Sequence, residues 1–349
     1  MSRYKQPYSL YKRGKYWYYR TYTPDGVRTT AKTTGCTSKN AAKEYCDKLN
    51  LSGFLFKSSV TFQQYAEHFY DDDGLYFRDR AEELSFNTRN NYRKMMKNIV
   101  MPYFKNKQLS DIDYVCLKSF RASLMNQYAP KTIQQAMSTL KHIIDAAYKS
   151  RKIIDNPFHF LESLKMTENE RDAYTLAEVK MIYEKIDEEF KHSVLFLALT
   201  GLRISECMGM CKNEIIQADG FEYINLNTQY TNKKYTKLKG KRARPVPIIP
   251  EIKELKICEQ TRLSAFYREV TVLKDECKKD TPERNLAAFH SFRHFFVTNA
   301  KAENINEAKV EFIAGHTLKN IRKVYTNFKA EDLTDILTWQ KLTFEKITK

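Results

Sequence analysis

The chain has 349 residues, of which 42% are hydrophobic and 13% aromatic, and it carries a formal net charge of +17. The length allows two or three domains, and the apolar content excludes a disordered chain. The charge points to a polyanionic partner, nucleic acid ahead of a membrane surface, because the longest apolar run, VLFLAL at 194–199, is far too short to span a bilayer. The opening MSRYKQPYSL lacks the apolar core of a signal peptide. Seven scattered cysteines form no Cys-x-x-Cys pair, so reduced thiols in a cytoplasmic protein are expected.

Residues 1–57 read as a small β-rich unit. YSLYKRGK, YWYYRTYT and VRTTAKTTG predict three strands, with a turn at Pro24-Asp25-Gly26, and SKNAAKEYCDKL predicts a helix capped by Ser38. Twelve Lys and Arg against three Asp and Glu, interleaved with tyrosines, suit a strand-based DNA reader. Lys12, Arg13, Lys15 and Arg20 are the candidate contacts; a solvated face over a tyrosine core explains the same pattern.

Residues 58–165 are helical in pattern, with apolar residues near 3.6 spacing in TFQQYAEHFY, SFNTRNNYRKMMKNIVMPYF, DYVCLKSFRASLMNQ and KTIQQAMSTLKHIIDAAYKS. Pro102 is expected to interrupt the second pattern, and Asn156-Pro157 marks the exit from the fourth. Arg89, Arg93 and Lys131 are candidate backbone contacts, although charge on a helix face is usually solvation. The polar stretch 160–175 is the best hinge candidate.

Residues 171–349 hold the chemistry. A helix capped by Thr175 leads into the buried run HSVLFLALTGLRISECMGM, broken at Gly201. FEYINLNT and RARPVPII flank a lysine-rich stretch in the manner of a hairpin. Helices resume at HSFRHFFVTNAKA and NEAKVEFIAG, and the chain ends in AEDLTDILTWQKLTFEKI. In HSFRH, positions 290, 293 and 294 share a helix face. The guanidinium on that face repels a divalent cation and suits an anion with several oxygens. Arg203 follows the Gly201 break beside a helix N-terminus, another place for an anion. Lys237, Lys239, Lys241 and Arg242 surround Gly240 in a basic turn suited to a DNA groove.

Four ordered patterns, ALTGLRISE, KGKRARPVP, HSFRH and GHTLKNIRKVY, resemble those of the tyrosine recombinases, the phage-integrase family, over most of residues 58–330. The resemblance implies six catalytic positions: Arg203, Lys239, His290, Arg293, His316 and, nine residues after it, Tyr325 as nucleophile. Lys239 is preferred over Lys237 and Lys241 because KGKRARPVP then aligns without gaps. Glu206 would orient Arg203, and His294 would pack beside the site. Ser291, Phe292 and Ala314 depart from the family's usual residues.

The family implies a mainly α architecture with small β parts: an arm-type DNA-binding domain (1–57), a helical core-binding domain (58–165) and a mixed α/β catalytic domain with a tail helix (171–349). It implies double-stranded DNA with core and arm attachment sites as substrate, a homotetramer held through the C-terminal tail, an optional DNA-bending accessory protein, and neither cofactor nor metal. The activity implied is site-specific integration for a mobile element, through a covalent phosphotyrosyl link and a Holliday junction. A type IB topoisomerase-like enzyme and a catalytically silent DNA-binding protein are the alternatives.

Overall fold

The computed structural model describes residues 7–22, 28–51, 60–78, 80, 83–153, 155–164, 170–218, 220–238, 243–316 and 328–349. The chain divides into two compact units, Met1–Thr167 and Glu168–Lys349.

In the first unit, β1 (Tyr8–Arg13) and β2 (Tyr16–Thr21) pair antiparallel, with Tyr8 opposite Thr21 and Lys12 opposite Trp17. The two-residue β3 (Lys32–Thr33) adds to β2. Alternation puts Tyr8, Leu10 and Tyr19 on one face. There they pack on Cys46 of α1 (Lys39–Leu51), and the Tyr8 hydroxyl donates to the Asp47 carboxylate. Ser38 caps α1 as expected, its Oγ accepting from the Ala41 N–H at 3.3 Å. The opposite face carries Tyr11 and Tyr18 stacked at 6.0 Å, with the Arg20 guanidinium 5.0 Å above Tyr11. The expected Pro24-Asp25-Gly26 turn lies outside the described residues.

The helical part begins with α2 (Phe62–Ala66), closed by a Thr61/Gln64 capping box. The next helix starts as α3 (Phe86–Met95), capped by Ser85, and runs through a π turn (Met96–Val100) into α4 (Met101–Phe104). Pro102 therefore does not interrupt the helix, contrary to expectation. Proline lacks the N–H that an α turn would use and crowds the carbonyl four residues back; widening one turn accommodates both. α5 (Tyr114–Met125) is capped by Asp113, and α6 (Pro130–Lys149) buries Ile133, Ala136, Met137, Leu140, Ile143, Ile144 and Ala147 along one stripe. The exit is fixed by Asn156, which donates to Asp145 at 2.6 Å and accepts from the Phe158 N–H at 3.0 Å.

The second unit opens with α7 (Leu176–Lys185), closed by a Thr175/Glu178 capping box, and α8 (Glu188–Thr200), buried from Ser193 to its end. The short α9 (Ile204–Cys207) follows the Gly201 break. β4 (Glu214–Ala218), β5 (Phe221–Leu226) and β8 (Arg244–Ile248) form an antiparallel sheet in the order β4-β5-β8. Between β5 and β8, β6 (Thr228–Thr231) and β7 (Lys234–Lys237) make a hairpin of their own. Asn232 and Lys233, at φ 51° and 59°, supply its two-residue turn, both in the left-handed region that such turns require. The expected single hairpin is thus a sheet pair with a second hairpin projecting from it.

Behind the sheet, α10 (Pro250–Lys253) and α11 (Leu263–Cys277) lead to α12 (His290–Ala302) and α13 (Glu307–Ala314). The last helix, α14 (Asp335–Thr348), buries Ile336, Trp339, Thr343 and Ile347 in its own unit within the single chain. Trp339 lies edge-on to Phe296 at 5.3 Å and donates to Asn299 at 3.1 Å. Buried Gln340 donates to the carbonyls of Leu199 and Pro247, at 3.2 and 2.9 Å, tying α14 to α8 and β8. No described helix is long and apolar enough to cross a membrane.

Candidate active site

Two glycine turns carry the site. α8 ends at Gly201, φ 63°, where a Cβ would meet the Phe296 ring at 2.3 Å. That turn delivers Arg203 in extended conformation to the start of α9. Its Nη1 donates to Glu206 Oε1 at 3.0 Å, its Nη2 to the Gly315 carbonyl at 3.2 Å, and its backbone N–H to Glu206 Oε2 at 3.0 Å. Glu206 is 1% exposed and accepts a further bond at 2.9 Å from Arg244, whose Nε donates to the Ile313 carbonyl at 2.7 Å. Burial alone would raise the Glu206 carboxyl, but Arg244 and the Arg203 backbone N–H hold it below the ordinary range.

The second turn is Gly315, φ 66°, at the end of α13, where a Cβ would stand 2.8 Å from the Arg244 guanidinium carbon. It presents His316, whose ring Nδ1 meets the Glu311 carboxylate and whose Nε2 accepts from Arg293 Nε at 3.2 Å. Arg293, from the first turn of α12, is 1% exposed; its Nη1 donates to the Gly201 carbonyl at 3.1 Å, while its Nη2 is buried without a partner among the described residues. Among the described residues no carboxylate pairs with it. Burial, and then the charge of Arg203, push its guanidinium down to about 9.

Burial pushes His290 down to about 4, helped by His294 and the surrounding arginines, so its imidazole is neutral at pH 7. His294 and His316 shift the same way, burial first and Arg293 next. The rings of His290 and His294 meet edge to face at 4.8 Å. His290, Arg203 and Arg293 line a cavity of about 680 Å³, which Arg171, Tyr267 and Lys274 extend.

The structure therefore brings together Arg203, Glu206, His290, Arg293 and His316, with His294 beside His290. Lys239, Lys241, Arg242 and Tyr325 lie outside the described residues. Lys237 ends β7, exposed. Lys12, Arg13 and Lys15 are exposed around the β1–β2 turn, and Lys131 borders a polar groove with Asn91 and Gln135. Arg89 and Arg93 are already engaged, both donating to Asp72, at 2.9 and 2.6 Å. The residues that depart from the family pattern pack: Ser291 donates to the Asp172 carbonyl, Phe292 lies against Tyr174, and Ala314 is buried.

Sequence reading missed Arg244 and Glu311. Arg244 sits among the basic residues of KGKRARPVP, and only its alternation with buried Val246 hinted that it points inward. Glu311 follows no local signal at all, since its partners His316 and Lys301 meet it through the fold.

Comparison with known proteins bears on both units. The family model described as the phage integrase N-terminal domain matches residues 9–54, and that of the phage integrase N-terminal SAM-like domain matches residues 61–125. No curated protein matches the chain. Among solved structures, the Tn1549 transposon integrase in complex with a circular intermediate DNA aligns with TM-score 0.54 and 19% identity, over 73% of this chain and 90% of that one. The same integrase with transposon right end DNA gives 0.55 and 17%, over 79% and 98%. A lambda integrase tetramer bound to a Holliday junction gives 0.53 and 15%, over 90% and 97%. At these identities the likeness is one of fold. The two family models thus mark phage integrase N-terminal domains within residues 9–125, and the chain shares the fold of these integrases.

Proposed function

We propose that this chain is the site-specific integrase of a mobile element, a recombinase that cuts and rejoins double-stranded DNA without metal or ATP. Tyr325 attacks a backbone phosphorus, forming a 3′-phosphotyrosyl link and releasing a 5′ hydroxyl, and the ester keeps the bond energy for rejoining. Arg203 and Arg293 hold the charge that builds on the non-bridging oxygens. Neutral His290 accepts the tyrosine proton, His316 bonds the phosphate, and Lys239 protonates the departing 5′ oxygen. Glu206 keeps Arg203 in place, and His294 supports His290. Lys237, Lys241 and Arg242 contact DNA from the basic stretch between β6 and β8, Lys131 from the helical part, and Lys12, Arg13, Lys15 and Arg20 from the N-terminal sheet.

The observation that carries this reading is Arg293: a guanidinium almost fully buried, with one nitrogen unpartnered and no carboxylate paired directly with it among the described residues. A protein does not bury an unpaired cation for stability; a phosphodiester is the missing partner. The domain division 1–57, 58–165 and 171–349 assigns arm sites to the first part and core sites to the others. Strand exchange through a Holliday junction needs four protomers on two DNA partners, with or without a DNA-bending protein, and the C-terminal tail that carries α14 is the segment that would link them.

The deciding experiment is adduct formation in EDTA on nicked duplexes from the ends of the source element. An SDS-stable adduct with wild type and none with Tyr325→Phe is expected. DNA binding without any adduct from wild type would overturn the catalytic reading.

A further inference from the structure

Glu311 holds His316 twice. Its backbone carbonyl accepts the His316 N–H at 3.0 Å, and its carboxylate meets ring Nδ1. On the other edge of the ring, Nε2 faces Arg293 Nε at 3.2 Å. A guanidinium has only N–H groups to offer, so Nε2 is the acceptor and the single ring proton sits on Nδ1, donated to Glu311. In this state His316 has no proton on the edge that faces the site. Turning the ring over would cost the Glu311 bond, and Glu311 is itself anchored: Lys301 donates to its other oxygen at 2.6 Å while also holding Glu307 at 2.8 Å.

The Nε and Nη2 groups of a guanidinium form one fork edge, suited to two phosphate oxygens. In Arg293 that edge is half used: Nε caps His316, and among the described residues Nη2 meets no acceptor. A phosphodiester landing on it takes both groups and uncovers His316 Nε2. We propose that Glu311 is a positioning residue that fixes His316 as the Nδ1–H tautomer in the empty site and stabilises its imidazolium form once a phosphate takes the Arg293 fork. Nε2 then takes a proton from solvent and donates it to a phosphate oxygen, while Nδ1–H stays on Glu311. The proposal rests on the reading of this site as one for a phosphodiester.

The charges facing the ring explain why the switch waits for the anion. Arg293 from α12 and Arg203 from the start of α9 oppose a proton on His316, as does burial; Glu311 of α13 favours one. Arg244 of β8 lies beneath the Gly315 turn, and Lys301 bonds Glu311 and Glu307, not the ring. An arriving phosphodiester offsets the two arginines and leaves Glu311 to decide.

The test is nitrogen NMR of the full chain with labelled histidine, His316 being assigned from a His316→Gln sample, and with inorganic phosphate as probe. Without phosphate at pH 7, wild type is expected to show the Nδ1–H tautomer. Phosphate should raise the His316 titration midpoint by about one pH unit or more, as an opposite charge at contact does. Glu311→Gln keeps an acceptor for Nδ1 but not the charge, so it should keep the tautomer and lose most of the rise. Glu311→Ala should lose both. An Nε2–H ring in phosphate-free wild type, or a Glu311→Gln response equal to wild type, would overturn the proposal. If phosphate moves no histidine of the site, the phosphodiester reading itself fails, and the resting tautomer alone then judges whether Glu311 positions the ring.

Discussion

Each unit of this protein holds two arginines close together, and the two pairs are used in opposite ways. Arg89 and Arg93, one turn apart on α3, share the carboxylate of Asp72, and Arg93 Nε also donates to the Tyr70 carbonyl at 2.9 Å. Arg203 and Arg293 come from elements far apart in sequence; Arg203 shares Glu206 with Arg244, while Glu311 reaches Arg293 only through His316. The first pair shares one exposed carboxylate and braces a loop. In the second unit three guanidiniums lie around Glu206, and among the described residues no carboxylate pairs directly with Arg293. What separates a brace from an anion site is the number and placement of acids, not the spacing of arginines.

The largest effect should follow from removing the acid that the second site has. Glu206→Gln leaves Arg203 and Arg244 buried or half-buried without their counter-ion, and breaking such a pair costs about 3–5 kcal/mol. Chemical unfolding of the second unit, followed by fluorescence of buried Trp339, is expected to shift by that order. A loss below about 1 kcal/mol would mean that the cations do not depend on Glu206. Arg293→Met should behave in the reverse manner. It removes an unpaired buried charge, so the unfolding midpoint should hold or rise. Adduct formation should fall a few hundredfold, the cost of about 3–4 kcal/mol for losing one transition-state stabiliser. A variant that unfolds readily yet cleaves normally would show Arg293 to be structural.

Acid sensitivity gives a sharper version of the comparison. His290 and His142, the latter stacked on Tyr76 at 4.3 Å, are both pushed down to about 4 by burial. A histidine whose folded value lies below its unfolded value of about 6.5 binds fewer protons when folded, so stability falls as pH drops from about 6.5 towards 4. Both units should lose stability in that window, read by Trp339 fluorescence for the second and by His142 NMR for the first. Phosphate should protect the second unit alone at pH 5, because it offsets the cations around His290. Equal protection of both units would mean that phosphate acts by general salt effects and not in the site.

Most of the local structure was legible because its causes are local. Ser38, Ser85, Asp113 and Thr175 cap the helices they precede, and Gly201 and Gly315 end α8 and α13 at positive φ. The four boxes of the proposed catalytic site were legible as residue types in order. What the sequence hid was set by partners distant along the chain. Arg244 finds Glu206 across 38 residues, Arg93 finds Asp72 across 21, and α14 finds α8 through Gln340 across 141. Glu311 and His316 are only five apart, yet the pair acquires meaning from Arg293 and Lys301 on another helix.

The smallest effect, and the finest test of the comparison, is Asp72→Asn. It removes the charge that occupies Arg89 and Arg93 while leaving a side chain of the same shape. Asp72 is exposed, and its carboxyl is held below the ordinary range by the Arg93 hydrogen bond, so little stability should be lost. The consequence to look for lies in DNA binding. Two freed guanidiniums that reach the backbone would each neutralise about one phosphate. The slope of log affinity against log salt for a random duplex should then steepen by about one to two units. An unchanged slope would mean that Arg93, still bonded to the Tyr70 carbonyl and lying over Phe77 at 5.4 Å, belongs to the loop whatever the charge at position 72. In that case the helical part must approach DNA through other groups, with Lys131 and the amide-lined groove beside it the next to be tested.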